Sequence, residues 1–352
     1  MSNITADVVI GLEYGDEAKS KVTNSLLKTK NYTHCLRFSG SHNAGHTSYQ
    51  SGKKMITHVI PTGIFHNVKS IIGPGCVCSP RLLSEEILDL EEAGIIVEGK
   101  LFVDKRTNII TGAHLAEDST DTKIGTTKKG NGPAYRDKYD RKGMRFEGIG
   151  WQEKKYKIID VYEEFHSSKE SINILCEGAQ GFGLDIDWGD YPYVTSSHCT
   201  TASALLNGIP PQSLRRVFGV CKAYTTYVGA KKFQPAGDIF NTLREVGQEY
   251  GATTGRARQV NFLNLDFLVK SARINGTTDI IVNKMDVLQQ INQWKVIVDN
   301  EVLDLDDEKS FKDYITYKLN SNVQTIRNHN SIKFSYSPED ISNGMGQIKI
   351  FK

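Results

Sequence analysis

The 352 residues contain no apolar run long enough to cross a bilayer, no internal repeat and no low-complexity segment. These absences exclude a helical membrane protein, a solenoid and a compositionally disordered chain. The six cysteines (Cys35, Cys76, Cys78, Cys176, Cys199 and Cys221) form no CxxC pair, and no histidine stands at zinc-ligand spacing. Neither a disulfide framework nor a zinc centre fits that scatter, so free thiols in a reducing cytoplasm are expected. Residues 1–6 lack the features of a secretory signal. Charge of one sign is also missing: a net charge of +2 argues against a dedicated nucleic-acid surface. What remains is 39% hydrophobic and 24% charged, an ordinary globular composition long enough for one large α/β domain with additions, or two domains.

Residues 7–21, DVVIGLEYGDEAKSK, organise the rest. Val8, Val9 and Ile10 read as a buried strand that breaks at Gly11, and Ala18 to Leu27 reads as a helix with Val22 and Leu26 on one face. A strand, a glycine turn and a helix start present backbone N–H groups to an anion, with Lys19 or Lys21 adding charge. The Gly-Lys-Ser/Thr ending of a Walker A loop is absent. Asp16 and Glu17 inside such a loop imply an intervening metal ion or a proton to be removed; the alternative is a solvated turn.

Further along, His34 to Phe38 reads as a second strand that runs into the small-residue loop SGSHNAGHT at 39–47. Pro80 opens a helix bearing Leu83, Ile87 and Leu90 on one face, and Gly94 ends it. The stretch 124–145 has too much glycine and charge for a regular element and is expected as a long functional loop, while 151–170 has helical composition. Ile172–Leu175, Val217–Lys222 and Ile280–Val282 each read as buried strands delivering a glycine-rich or polar loop. That succession predicts an α/β fold: an open, largely parallel central sheet with flanking helices and long loops at the strand exits.

Two short motifs carry chemistry. NKMD at 283–286 follows an apolar strand, and a carboxylate at Asp286 can accept hydrogen bonds from guanine N1–H and N2–H, which adenine does not offer. GATTGRAR at 251–258 sets Arg256 and Arg258 in a compact loop suited to a carboxylate or phosphate, or else to an exposed basic turn. The basic group Lys128, Lys129, Arg136, Lys138, Arg141, Lys142 and Arg145 has only Tyr135 and Tyr139 for stacking, so a phosphate clamp is favoured over nucleic acid.

The order GDEAKSK, SGSHNAGHT, IPTGI, IGTTKKGNGPAYRDKYDRKG, EGAQGFGLDID, YPYVTSS, VGA, GATTGRAR, NKMD and SYSP resembles the adenylosuccinate synthetase family from end to end. The chain looks like a compact member that lacks much of the helical region bacterial members carry before EGAQG. The resemblance implies a single domain over 1–352, related to P-loop NTPases, with the phosphate loop near 11–21 and a guanine-site region near 280–340. It implies a GTP- and Mg²⁺-dependent ligase joining L-aspartate to C6 of a 6-oxopurine nucleoside monophosphate through a 6-phosphoryl intermediate.

By the same resemblance Asp16 matches the catalytic base, His46 the general acid and Lys19 a phosphate-contacting lysine. Asp16 and the carbonyl of Gly45 match the metal ligands. Asn43, Thr127, Gln180, Thr195, Val228 and Arg256 match the purine-nucleotide pocket. Arg141 matches an arginine that reaches a neighbouring subunit's nucleotide, implying a homodimer. Thr253, Thr254, Arg256 and Arg258 match the loop that closes on aspartate. Gly15, Glu17, Lys19, Thr47, Lys284, Asp286, Ser335, Ser337 and Pro338 match the GTP site.

The chain departs from the family pattern at Ala18 and Ser20, at Ser41, at TTKKG (126–130), at Tyr227 and at Ala257. Altered substrate contacts around retained catalytic residues point toward a bacteriophage branch that uses dGMP and yields N6-succino-2-amino-2′-deoxyadenylate, with GTP or dGTP as donor. Members of that branch commonly lose the aspartate matched by Asp16. The alternative is the housekeeping reaction from IMP. A guanine-nucleotide-binding regulator and an inactive binding module are the readings from other classes.

Overall fold

The opening apolar run becomes β1 (Ile4–Gly11), buried because it lies near the middle of a nine-stranded sheet. The structure is a computed structural model and describes residues 4–29, 31–50, 53–148, 155–251, 255–326 and 331–337. The other strands of the sheet are β2 (His34–Arg37), β3 (Lys69–Ile72), β4 (Leu101–Asp104), β5 (Lys157–Ile159), β6 (Ile172–Glu177), β7 (Leu214–Lys222), β8 (Asp279–Asn283) and β9 (Ile332–Phe334). Their spatial order is β9-β8-β7-β1-β6-β2-β3-β4-β5. Every pairing is parallel, so all carboxyl ends open on one edge. The α/β fold implied by the strand exits is the one observed, and a cleft at that edge follows from it.

Helix α1 (Lys19–Thr29) leaves the first strand exit and lays Val22 and Leu26 among Val9, Leu175, Phe218, Val220 and Ile281. Each such buried aliphatic side chain contributes about 1.5–3 kcal/mol, which clamps the loop between β1 and α1 from below. Helix α2 (Pro80–Glu92) starts where Pro80 predicts: Ser79 caps it through the Leu82 N–H, and Leu83, Ile87 and Leu90 are buried.

Two expectations are corrected. Residues 124–145 are not one irregular loop, because α4 (Asn131–Tyr139), the helix after α3 (Gly112–Ser119), lies within that region. Gly130 turns the chain at φ +77°, Pro133 occupies the first turn, where its missing N–H costs nothing, and the buried Tyr135 hydroxyl donates to the Gly75 carbonyl at 3.0 Å. Tertiary anchors outweigh the weak local propensity. In 151–170, β5 forms the sheet edge and only Val161–His166 is helical, while 151–154 lie outside the described residues. The stretch after Lys222, expected as a loop, supplies Tyr224–Tyr227 to a second four-stranded sheet with Gln259–Asn264, Lys295–Val298 and Glu301–Asp304. All six cysteines are free and buried. No helix among the described residues is long and apolar enough to cross a membrane.

Candidate functional site

The core strands end in polar residues that share a register. Arg37 pairs in register with Glu177 across β2 and β6, and Lys222 with Asn283 across β7 and β8. All four are buried, so their charges and amides must be satisfied by one another or by loops above the edge.

Above the first pair lies His46, which opens the hairpin His46–Gln50/Lys53–Thr57. Its Nδ1 is 2.6 Å from Glu177 Oε1, and its Nε2 is 3.1 Å from Arg37 Nη1. Burial, reinforced by the Arg37 guanidinium, pushes the imidazole down to about 4. The neutral ring therefore gives its Nδ1–H to Glu177 and accepts from Arg37 at Nε2. Burial alone would raise the Glu177 carboxyl, but Arg37, His46 and the Thr62 N–H (2.7 Å) outweigh it and hold the group at about 2.

The loop between β1 and α1 differs from a simple anion cradle. Gly15, Asp16 and Ala18 all take positive φ (+89°, +58° and +68°). Inside the turn sits Glu17, wholly buried, which accepts from the backbone N–H groups of Glu13 (3.2 Å) and Gly15 (2.8 Å) and from Lys19 Nζ (2.7 Å). Those N–H groups, expected to face an anion, are taken by the loop's own carboxylate. Glu17, matched to the GTP site, therefore turns its side chain inward and shapes the loop. Asp16 faces outward, and Lys19 lines the cleft.

Lys21 shows a second such exchange. Instead of pointing at a phosphate, its Nζ donates to Asn283 Oδ1 (3.1 Å), Ser335 Oγ (2.6 Å) and the Ser337 carbonyl. Asn283 Nδ2 donates back to the Glu17 carbonyl at 2.8 Å. NKMD and the phosphate loop are thus one unit. Lys284 adopts φ +66° before helix Met285–Ile291 and donates to the Gly247 carbonyl at 2.8 Å, and Asp286 lies half-buried in the first turn. Pro338 lies outside the described residues.

Opposite stands Arg258, in ion pairs with Asp16 Oδ2 (2.9 Å from Nε) and with Glu249. Burial opposes the guanidinium's charge, but the two carboxylates prevail and raise it further. Thr253 and Thr254 of the same loop lie outside the described residues. Arg256 donates to the Gly125 carbonyl at 3.2 Å, joining that loop to the segment before α4.

All these elements frame one cleft of about 1040 Å³. It brings together Gly15, Asp16, Lys19, Asn43, Gly45, His46, Thr47, Thr127, Gln180, Thr195, Val228, Arg256, Arg258, Lys284, Asp286 and Ser337. Ser335 lies behind the wall, held through Lys21. Among the described residues, Asn43 Oδ1, Gln180 Oε1 and both amide atoms of Asn131 are buried without a hydrogen-bond partner, a cost that a bound polar ligand removes. Tyr227 is buried on the wall in an edge contact with Tyr14 (5.9 Å), and a Cβ on Gly229 would meet its hydroxyl at 2.2 Å. Arg141 is exposed and does not line the cleft. The basic group around it does not converge: Arg136 pairs with Glu117 and Asp137, Lys138 donates to the Pro74 carbonyl, and Lys142 pairs with Asp140.

Sequence reasoning missed Arg37, Glu177, Lys222, Glu249 and Glu13. The usable signal was a charged residue closing an apolar strand, as in HCLR, ILCE and GVCK. Glu13 and Glu249 carry no such mark.

A family model described as adenylosuccinate synthetase matches residues 8–164 and 151–332. The adenylosuccinate synthetase of Aquifex aeolicus is 36% identical over 351 residues, covering 84% of this chain and 81% of that protein. The structure of fully ligated adenylosuccinate synthetase from Plasmodium falciparum superposes with a TM-score of 0.74 at 29% identity, over 86% of this chain and 83% of that one. The cyanophage S-2L succinoaminodeoxyadenylate synthetase, solved with dGMP and dATP as an energy donor, gives a TM-score of 0.69 at 20% identity, over 90% and 99% of the two chains. At that identity the likeness is one of fold alone.

Proposed function

The chain belongs to the adenylosuccinate synthetase family and is a ligase of that type, and on this premise we propose that it joins L-aspartate to C6 of IMP at the expense of GTP, forming adenylosuccinate. One observation carries the reading: Asp16, His46, Arg258 and Asp286 line a single cleft. Similarity to adenylosuccinate synthetases supports IMP over the dGMP expected from the departures, as does the retained Asp16. The packing of Tyr227 against Tyr14 and Gly229 fits a wall residue better than a selector of the sugar.

The Asp16 carboxylate and the Gly45 carbonyl are hard oxygen donors on the same cleft, a set that fits Mg²⁺. When bound there, Mg²⁺ would neutralise charge on the transferring phosphoryl group. Asp16 takes the N1 proton of the purine, and the electron pair makes O6 nucleophilic toward the γ-phosphorus of GTP. The O6–P bond forms as the bond to GDP breaks. Lys19 offsets the developing charge, and His46 joins it only when Nε2, which accepts from Arg37 in the free protein, takes up a proton and turns it to the phosphate. L-aspartate, its carboxylate held by Arg258, then attacks C6 through its amine and expels phosphate together with O6, the phosphate taking the proton that the amine sheds. Asp286 reads the guanine of the donor. Arg141, exposed outside its own cleft, serves the monophosphate site of a second copy in a homodimer.

The test is phosphate release with GTP, Mg²⁺ and L-aspartate, comparing IMP, GMP, dIMP and dGMP at equal concentration. IMP is expected to be preferred. A preference for dGMP would overturn the substrate assignment, and ATP serving as well as GTP would remove the role of Asp286.

A further inference from the structure

Glu249 does not line the cleft, yet three groups converge on its buried carboxylate. The Tyr224 hydroxyl donates to Oε1 at 2.6 Å, Lys222 Nζ lies 3.3 Å from both oxygens, and Arg258 Nη1 meets Oε2. The backbone repeats the connection, since the Arg258 N–H donates to the Glu249 carbonyl at 2.9 Å. Glu249 and Arg258 thereby close the stem of the loop 250–257, whose ends pair at Tyr250 and Ala257.

The guanidinium is divided. One edge is fixed by Glu249 inside the protein, while Nε faces Asp16 Oδ2 at the cleft, 2.9 Å away. A planar guanidinium offers five donors in a rigid fork, so anchoring one edge sets the direction of the others. Lys222, fully buried, balances the second half of the Glu249 charge and keeps that carboxylate from moving toward the cleft.

We propose that Glu249 is the positioning residue for the amino-acid substrate: it aims Arg258 across the cleft, and a carboxylate of L-aspartate takes over the guanidinium edge that only faces Asp16, as an ion pair, in the free enzyme. The proposal rests on the ligase reading above. Without the Glu249 charge, Arg258 turns wholly to Asp16, and the substrate carboxylate must compete with a stronger internal partner. Lys222 is then left without its carboxylate.

The experiment measures KM for L-aspartate, the nucleoside monophosphate and GTP in wild type and in Glu249→Gln, with melting temperatures recorded for both. The expected result is a rise in KM for L-aspartate of about tenfold or more, with the other two KM values within about threefold. An unmoved aspartate KM, or a parallel rise in all three, would overturn the proposal, because a merely structural role lowers melting temperature without selecting one substrate. Should Glu249→Gln fail to fold, Glu249→Asp keeps the charge beside Lys222 but withdraws it from Arg258. A rise confined to the aspartate KM supports the proposal there, and no such selectivity overturns it. Wild type that turned over no 6-oxopurine monophosphate would remove the ligase reading itself. Turnover with an unselective variant removes this inference alone.

Discussion

The ammonium of Lys21 lies 3.1 Å from Asn283 Oδ1 and ties the first helix to the strand exit that bears the guanine motif. The two residues are 262 positions apart in the chain. With Ser335 and the Ser337 carbonyl also on Lys21, one buried cation fixes three segments around the GTP site.

Replacing Lys21 by methionine keeps the length and removes those donors. Stability is expected to fall by about 2–3 kcal/mol, since buried acceptors lose their partner. KM for GTP should rise about tenfold or more, while KM for L-aspartate moves far less. Urea titration and steady-state kinetics check both, and an unchanged GTP KM would show that Lys21 serves packing alone.

Ala18 stands at φ +68° where the backbone favours glycine. A left-handed conformation costs an L-residue about 1–2 kcal/mol, offset by about 0.4–1 kcal/mol of extra freedom that glycine has in the unfolded chain. Ala18→Gly should therefore stabilise the protein by about 0.5–1 kcal/mol in denaturant titration.

Glu13 is buried beneath the phosphate loop, and burial pushes its carboxyl up to about 8, with the nearby Glu17 carboxylate adding to the shift. The backbone N–H of Lys222 (2.9 Å) and the Thr225 hydroxyl donate to it. Because the folded protein holds this proton more tightly than the unfolded chain, the associated stability is complete below the ordinary carboxylate value of 4.5 and is lost as pH rises through about 8. Glu13→Gln, which cannot ionise, should gain about 4 kcal/mol over wild type near pH 8 and little near pH 4.5. Melting curves across that range would refute the assignment if the gain were the same at every pH.

Asp286→Asn replaces a double acceptor by a group with one acceptor and one donor. The guanine N1–H or N2–H then meets a donor, and kcat/KM for GTP should drop by about a hundredfold or more. IMP and L-aspartate KM values should change little. A uniform loss across all three substrates would mean that the helix start had collapsed instead.

Much of the architecture was legible because its signals are local. Apolar runs closing on glycine or on a polar residue marked β1, β6, β7 and β8, and Ser79-Pro80 marked α2. The carboxyl-edge site followed from several such exits in succession. Helix α4 was not legible: its sequence NGPAYRDKY has no apolar stripe, and it is held by Tyr135 buried against Gly40 and Gly75. The side-chain directions of Glu17 and Lys21 were not legible either. Glu17 was expected at the GTP site and Lys21 was one of two lysines offered to the anion; both side chains are turned inward, Glu17 to the backbone of its own loop and Lys21 to partners far along the chain.

Residue type and spacing were enough for the strand exits, the family resemblance and the set of groups available for catalysis, because each depends on a few neighbouring positions. Which of those groups face the cleft was settled elsewhere. Arg37 with Glu177, Lys222 with Glu249, and Arg258 with Asp16 are joined by strand register and loop closure. A buried charge must find its counter-ion wherever the fold places one, and chain distance does not record that place.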